Sequence, residues 1–226
     1  MQRSDDEILH DVQAELKWEP SLRSEHIAIA VRDGVVSLAG YVLSYYDKWK
    51  AERVAGHVKG VRALANDIEV RLPSSSIRPD PEIARAIIEA FRWNLLIPHD
   101  DIRVTVDHGW VTLEGHVNWY YQKEEAERAV RGVTGVRGVT NLCTVIPAPA
   151  SSDVKQRIKD ALARGVRFDA EHIQVEITNS RAILKGTVRS YTERHDAERA
   201  ALNAPGVTQV ENHLVVDPTV GVSAAV

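Results

Sequence analysis

The side chains that could do chemistry are scattered along this 226-residue chain. Its nine histidines stand at 10, 26, 57, 99, 108, 116, 172, 195 and 213. None pairs at the His-x-x-x-His spacing that would put two ring nitrogens on one helical face toward a metal. The one cysteine, Cys143, excludes an intramolecular disulfide and lies in the alternating apolar run 142–146. A small buried thiol is expected there, since no neighbouring base or helix N-terminus would activate it. No Gly-x-Ser-x-Gly elbow and no phosphate-cradling glycine loop occurs. Asp100-Asp101 and Glu124-Glu125 fall at a strand entrance and on a helix surface, whereas a carboxylate pair must be buried before its two pKa values separate. The residues therefore predict no catalytic site, no metal and no cofactor.

The aromatics carry more information. Tyr41, Tyr45, Tyr46 and Trp49 cluster in one stretch, and Trp119, Tyr120 and Tyr121 in another. Trp and Tyr suit a membrane–water interface because an apolar ring carries a polar handle that stays wet. They suit a protein interface equally well. Tyr46, Trp49, Trp119 and Tyr121 are the candidates for a specific contact. Trp18 beside Lys17 and Trp93 beside Arg92 are two further candidates. Each could anchor at a lipid headgroup by charge and ring together, or form a cation–π pair on an ordinary surface.

Composition narrows the partners. With 44% hydrophobic and 27% charged residues the chain has the make-up of a globular protein. A formal net charge of −4 argues against nucleic acid as a partner, which would call for a basic stripe. Lys and Arg alternate with Asp and Glu along the helical stretches, leaving room only for a small local basic patch. No basic-then-apolar leader opens the sequence and no run approaches a membrane span, so the chain as written is expected to be cytoplasmic.

The elements that hold these residues come in three copies. Gly40, Gly115 and Gly186 each close an alternating apolar run. Twenty residues on stands Gly-Val, at Gly60, Gly135 and Gly206, and six further on an asparagine, at Asn66, Asn141 and Asn212. The second copy follows the first by 75 residues and the third follows the second by 71. Ala-Glu-Arg recurs at 51–53, 126–128 and 197–199, and Tyr45, Tyr120 and Tyr191 share one column. That tyrosine column is expected to pack inside its own module. Pro/Ser-rich connectors at 73–80 and 147–152 separate the copies.

Each copy reads α-β-β-α-β. Ile8, Val12 and Leu16 recur at helical spacing, as do Ile83, Ile87 and Phe91, with Ser4 and Pro81 as N-cap and first helical residue. Strands at 26–31 and 35–38 are joined by Arg32-Asp33-Gly34, and strands at 102–106 and 110–113 by Asp107-His108-Gly109. Second helices follow at 45–57 and 120–131, and last strands at 65–72, 140–146 and 210–216. The expectation is an α+β fold of three tandem modules, 1–73, 79–147 and 151–218. Each would be a three-stranded sheet with two helices on one face.

This pattern of strand–turn–strand ending in Gly, Tyr-bearing helix with Ala-Glu-Arg, Gly-Val and Asn-led last strand resembles the BON domain. The resemblance implies a non-enzymatic module that binds phospholipid or membrane surfaces in envelope maintenance or osmotic stress, often in the periplasm. On that basis the expected partner is an anionic phospholipid or envelope component. The alternative is a self-associating assembly module, a homo-oligomer that could serve as carrier or channel for small molecules.

Overall fold

The computed structural model describes residues 3–146, 158, 173–178, 180–204 and 206–217. By internal contacts these fall in two compact units, one of residues 1–39, 51–67 and 148–226, the other of 40–50 and 68–147. Copy one runs α1 (Asp5–Trp18), β1 (Ile27–Arg32), β2 (Val35–Val42), α2 (Tyr45–Gly56) and β3 (Ala63–Val70). Copy two runs α3 (Asp80–Arg92), β4 (Ile102–Asp107), β5 (Trp110–Val117) and α4 (Tyr120–Arg131), then a last strand in two pieces, β6 (Gly138–Asn141) and β7 (Thr144–Val145). Copy three shows β8 (Ile173–Thr178), β9 (Arg181–Val188), α5 (Tyr191–Leu202) and β10 (Gln209–Val216). Its expected first helix around Val154, the turn residue Asn179 and the connector 147–152 lie outside the described residues, Ile158 excepted.

The fold is α+β, repeated. In each sheet the second strand is central, in the orders β1-β2-β3, β4-β5-β6 with β7 also on β5, and β10-β9-β8. In copies two and three the first two strands pair antiparallel and the last pairs parallel to the second. A parallel partner needs a crossover, and α4 and α5 supply it.

Local chemistry sets the boundaries. Ser4 caps α1 in a full capping box with Glu7, and Asp5, Asp6 and Glu7 occupy the first turn with Lys17 in the last. α3 starts one residue before Pro81, because the amides of Glu82 and Ile83 both reach the carbonyl of Pro79. Both hairpin turns place two successive residues at positive φ, Asp33 (52°) with Gly34 (75°) and His108 (49°) with Gly109 (78°), the requirement of a type I′ turn. A carboxylate then grips each turn. Asp5 accepts from the amides of Asp33 and Gly34 at 2.7 and 2.9 Å, and Asp80 from those of His108 and Gly109 at 2.8 and 2.9 Å. The first helix of the module is thereby tied to the far turn of its hairpin.

The second strands outrun the sequence expectation. They continue through the glycine to Val42 and Val117 instead of stopping before it. At Gly115, φ is 146° and a Cβ would sit 2.0 Å from the carbonyl oxygen of Asp101. Glycine is what lets the strand pass the chain entering β4, and the apolar alternation resumes beyond it with buried Val117.

The core of copy two lies between one sheet face and both helices. Ile83, Ile87 and Phe91 of α3 meet Val111, Leu113 and Val117 of β5 and Ala126 and Val130 of α4. Copy three repeats this with Ala182, Leu184 and Val188 against Ala197 and Ala201, with Ile158 added. Small residues on the second helix allow close approach to the sheet. Phe91 is 2% exposed, and truncating such a ring to alanine costs about 3–5 kcal/mol.

The asparagine column is a latch between last strand and second helix. Asn141 Nδ2 donates to the carbonyl of Lys123 at 2.8 Å, and its Oδ1 accepts from the amide of Cys143 at 3.2 Å. Asn212 does the same with Arg194 (3.0 Å) and Leu214 (3.1 Å). Asn66 reaches Glu52 at 3.0 Å, and Asn212 also reaches Glu198 at 3.1 Å; these are the glutamates of the repeated Ala-Glu-Arg. The motif is structural.

Candidate functional site

Register divides copy two into two ends. β4 and β5 pair from Ile102 opposite Gly115 to Asp107 opposite Trp110. The chain arriving from α3 therefore enters the sheet at the same end where β5 leaves for α4. Residues 93–101 and 118–121 share that end. The hairpin turn and the start of α3 occupy the other, roughly 25 Å away for an eight-residue strand.

The first end is apolar and wet. Trp93 caps α3 and is 85% exposed, Leu95 is fully exposed, and Leu96 and Ile88 are about half exposed. Arg92 is exposed beside Trp93, and its guanidinium bonds Glu89 at 3.1 Å. At the same end Trp119 precedes α4 and Tyr121 lies in its first turn, each a little over a third exposed. Gln122 reaches back to the amides of Asn118 and Trp119 at 2.9 and 3.0 Å, which fixes the chain where Trp119 emerges. In copy one, Trp18 closes α1 at 85% exposure with Lys17 exposed beside it. Trp93 and Arg92 are the residues expected from sequence at this end, and Leu95 and Leu96 are additional to them. Their signal was an apolar run in a connector, where nothing in the helix or strand pattern calls for one.

Tyr46 and Trp49 stand differently. Their rings lie 5.7 Å apart, and the guanidinium of Arg131 sits over Trp49, 4.4 Å from the ring centroid. Arg131 also bonds Glu127 at 2.6 Å. Trp49 is thus half-buried against copy two, and Tyr46 keeps 37% of its surface exposed.

The tyrosine column departs from the expectation that it packs within its own module. Tyr45 packs on the core of copy two. Tyr191 of copy three meets copy one: its amide donates to the carbonyl of Val61 at 3.0 Å, and its ring lies where a Cβ on Gly56 would touch it. Burial, then the charge of Glu52, pushes the Tyr191 hydroxyl pKa up. Two members of the column, Tyr45 and Tyr191, thus meet another copy, which one copy read alone does not display.

The groups with intrinsic reactivity are dispersed. Among the described residues no three His, Cys, Asp or Glu side chains converge as a metal site. Cys143 is buried at the break between β6 and β7, and burial raises its thiol pKa. His116 bonds Thr144 Oγ1 at 2.7 Å, and His57 meets the carbonyl of Arg53 at 2.6 Å. The first joins neighbouring strands and the second ties residue 57 back to α2.

The BON domain model matches residues 4–71, 79–147 and 150–218. No curated protein matches the chain. Among solved structures it is similar to CdsD, a structural protein of the type III secretion system of Chlamydia trachomatis, at 14% identity over 93% of this chain and 92% of that one, with a TM-score of 0.26. The C-terminal domain of CdsD gives the same identity and TM-score over 96% of this chain and 100% of that one. At that TM-score neither likeness bears on role.

Proposed function

The chain belongs to the BON domain family, with three copies in tandem, and on that premise we propose that it binds anionic phospholipid surfaces without catalysis, through the apolar end of copy two. The observation that carries this reading is the exposure of Trp93 (85%) and Leu95 (100%) side by side. Burying an apolar side chain of that size gains about 1.5–3 kcal/mol, a gain these two forgo in water. Trp119 and Tyr121 lie at the same end as interfacial aromatics. Arg92 is held by Glu89 only through an exposed pair, worth about 0–1 kcal/mol, so it can turn to a headgroup at little cost. Trp18 with Lys17 is a smaller second anchor. No helix among the described residues is long and apolar enough to cross a membrane, and attachment through this end is peripheral. A role in envelope maintenance or osmotic stress follows from the family reading.

The test is co-sedimentation with phosphatidylglycerol vesicles and with phosphatidylcholine vesicles, for the full chain and for Trp93→Ala/Leu95→Ala. Pelleting selective for the anionic vesicles and lost in the variant is the expected result. Equal pelleting of variant and wild type moves the contact elsewhere, and no pelleting at all overturns the reading.

A further inference from the structure

The end of copy two away from the apolar residues holds an open cavity. Arg78, Asp80, His108 and Arg137 supply its polar lining, with Leu72 and Ile77 as an apolar wall. We propose that this cavity binds a phosphate group. Comparison with copy one shows what has been built there.

At the equivalent positions copy one has Arg3, Asp5, Asp33 and Arg62, with Asp11 where copy two has Ala86. Arg3 is consumed: it pairs with Asp11 and donates to the carbonyl of Lys59. That set of five residues carries a net charge of −1. In copy two Asp11 becomes Ala86 and Asp33 becomes His108, so the equivalent set carries +1 with His108 neutral. Arg78 donates one nitrogen, Nη1, to the carbonyls of Ser75 and Ile77 at 2.9 and 2.8 Å. Those bonds fix the guanidinium without neutralising it.

Arg137 completes the pair. Its aliphatic stem covers Gly109, with Cγ 3.2 Å from where a Cβ would be, and its amide donates to the carbonyl of Gly109 at 2.9 Å. Its guanidinium has no partner among the described residues. Arg62 covers Gly34 in the same way in copy one, so the stem is architectural and the charge is spare. Asp80 faces the same cavity, but the amides of His108 and Gly109 hold its two oxygens. Two arginines line this concave, partly apolar recess, and guanidinium forks suit the oxygens of a phosphate monoester or diester. Copy three has Pro149 and Thr208 in place of the two arginines.

The ligand is not a headgroup of the bilayer that the other end would enter. The two ends are separated by roughly 25 Å along β5, and an interfacial anchor sinks only about 5–10 Å. A soluble phosphate-bearing molecule fits this placement.

The experiment is an amide NMR titration of the full chain with inorganic phosphate, against chloride at matched ionic strength. Saturable shifts at His108, Gly109 and Arg137 with phosphate alone are expected. Arg137→Met keeps the cover on Gly109 and should weaken binding about tenfold, the effect of losing one charge-assisted hydrogen bond. Ala86→Asp, which restores the acid of copy one, should weaken it likewise. Shifts equal to those from chloride, or undiminished in both variants, overturn the proposal. Anionic vesicles separate the sources: unchanged pelleting of Arg137→Met assigns the site to soluble phosphate, and lost pelleting assigns it to a headgroup. Phosphate binding by a wild type that never pellets would defeat only the membrane reading.

Discussion

The guanidinium of Arg131 sits over the ring of Trp49 in copy one, 4.4 Å from its centre, while its Nη2 bonds Glu127 at 2.6 Å. A helix of the second copy thus holds an aromatic of the first. A half-buried contact of this kind is worth about 1–2 kcal/mol. Arg131→Ala and Trp49→Leu should each lower the urea midpoint, and their double-mutant cycle should show coupling of about 1 kcal/mol. A coupling indistinguishable from zero would mean that the two groups merely lie near each other. Arg131→Ala should also shift tryptophan emission to the red.

The asparagine latch is expected to matter more than its exposure implies. Asn141→Ala leaves the carbonyl of Lys123 and the amide of Cys143 without that partner, and Asn212→Ala does the same to Arg194 and Leu214. Each loss should cost about 1–3 kcal/mol, the penalty for stranding part-buried polar groups. Urea melts of the two variants check this, and a change under 0.5 kcal/mol would show that water replaces the side chain freely.

How much of this was legible in the sequence depends on which residues were asked. Gly109, Gly34 and the Gly-Val steps declared turns because their backbone requirement is local. Asn141 and Asn212 declared a repeated position but not its purpose, since their partners sit 18 residues back on another element. Tyr45 and Tyr191, expected inside their own modules, meet other copies, because contacts between copies leave no periodic trace. Leu95 and Leu96 carry neither ring nor charge, and between two elements they fall in no periodic pattern that would mark them. The setting of Trp110 is equally non-local. Its ring covers Gly138, whose Cβ would fall 2.4 Å from it, and its Nε1 donates to Thr140 at 2.9 Å. Only the strand register brings that pair together.

The aspartate grip on the hairpin turn gives a further test. Asp80→Ala removes two charge-assisted bonds from the amides of His108 and Gly109. Hydrogen exchange at those amides should accelerate at least tenfold relative to wild type. Asp5→Ala should do the same at Asp33 and Gly34. Unchanged exchange would place the protection in the turn itself.

Acid should loosen copy one at α1 first. The Ser4 backbone and hydroxyl bonds hold the Glu7 carboxyl pKa below its ordinary value, and the bond from Arg3 does so for Asp11. A carboxyl depressed in the folded state stabilises it above the ordinary carboxylate pKa. That contribution fades as pH falls from the ordinary value through the depressed one. Stability measured from pH 6 downward should therefore fall less steeply in Asp11→Asn than in wild type. Parallel pH profiles would remove Asp11 from the account.

Helix α2 has a consequence for how the repeats come apart. Its first turn carries Tyr45 into the core of copy two, and its last turn, at Gly56, meets Tyr191 of copy three. Beads on a string, pulled from both ends, would give way one after another with equal steps. Contacts at both ends of one helix couple those steps, because stripping either neighbour bares part of copy one. Detaching either neighbour should therefore weaken copy one as well, and under load the chain should yield in fewer, larger events than it has repeats.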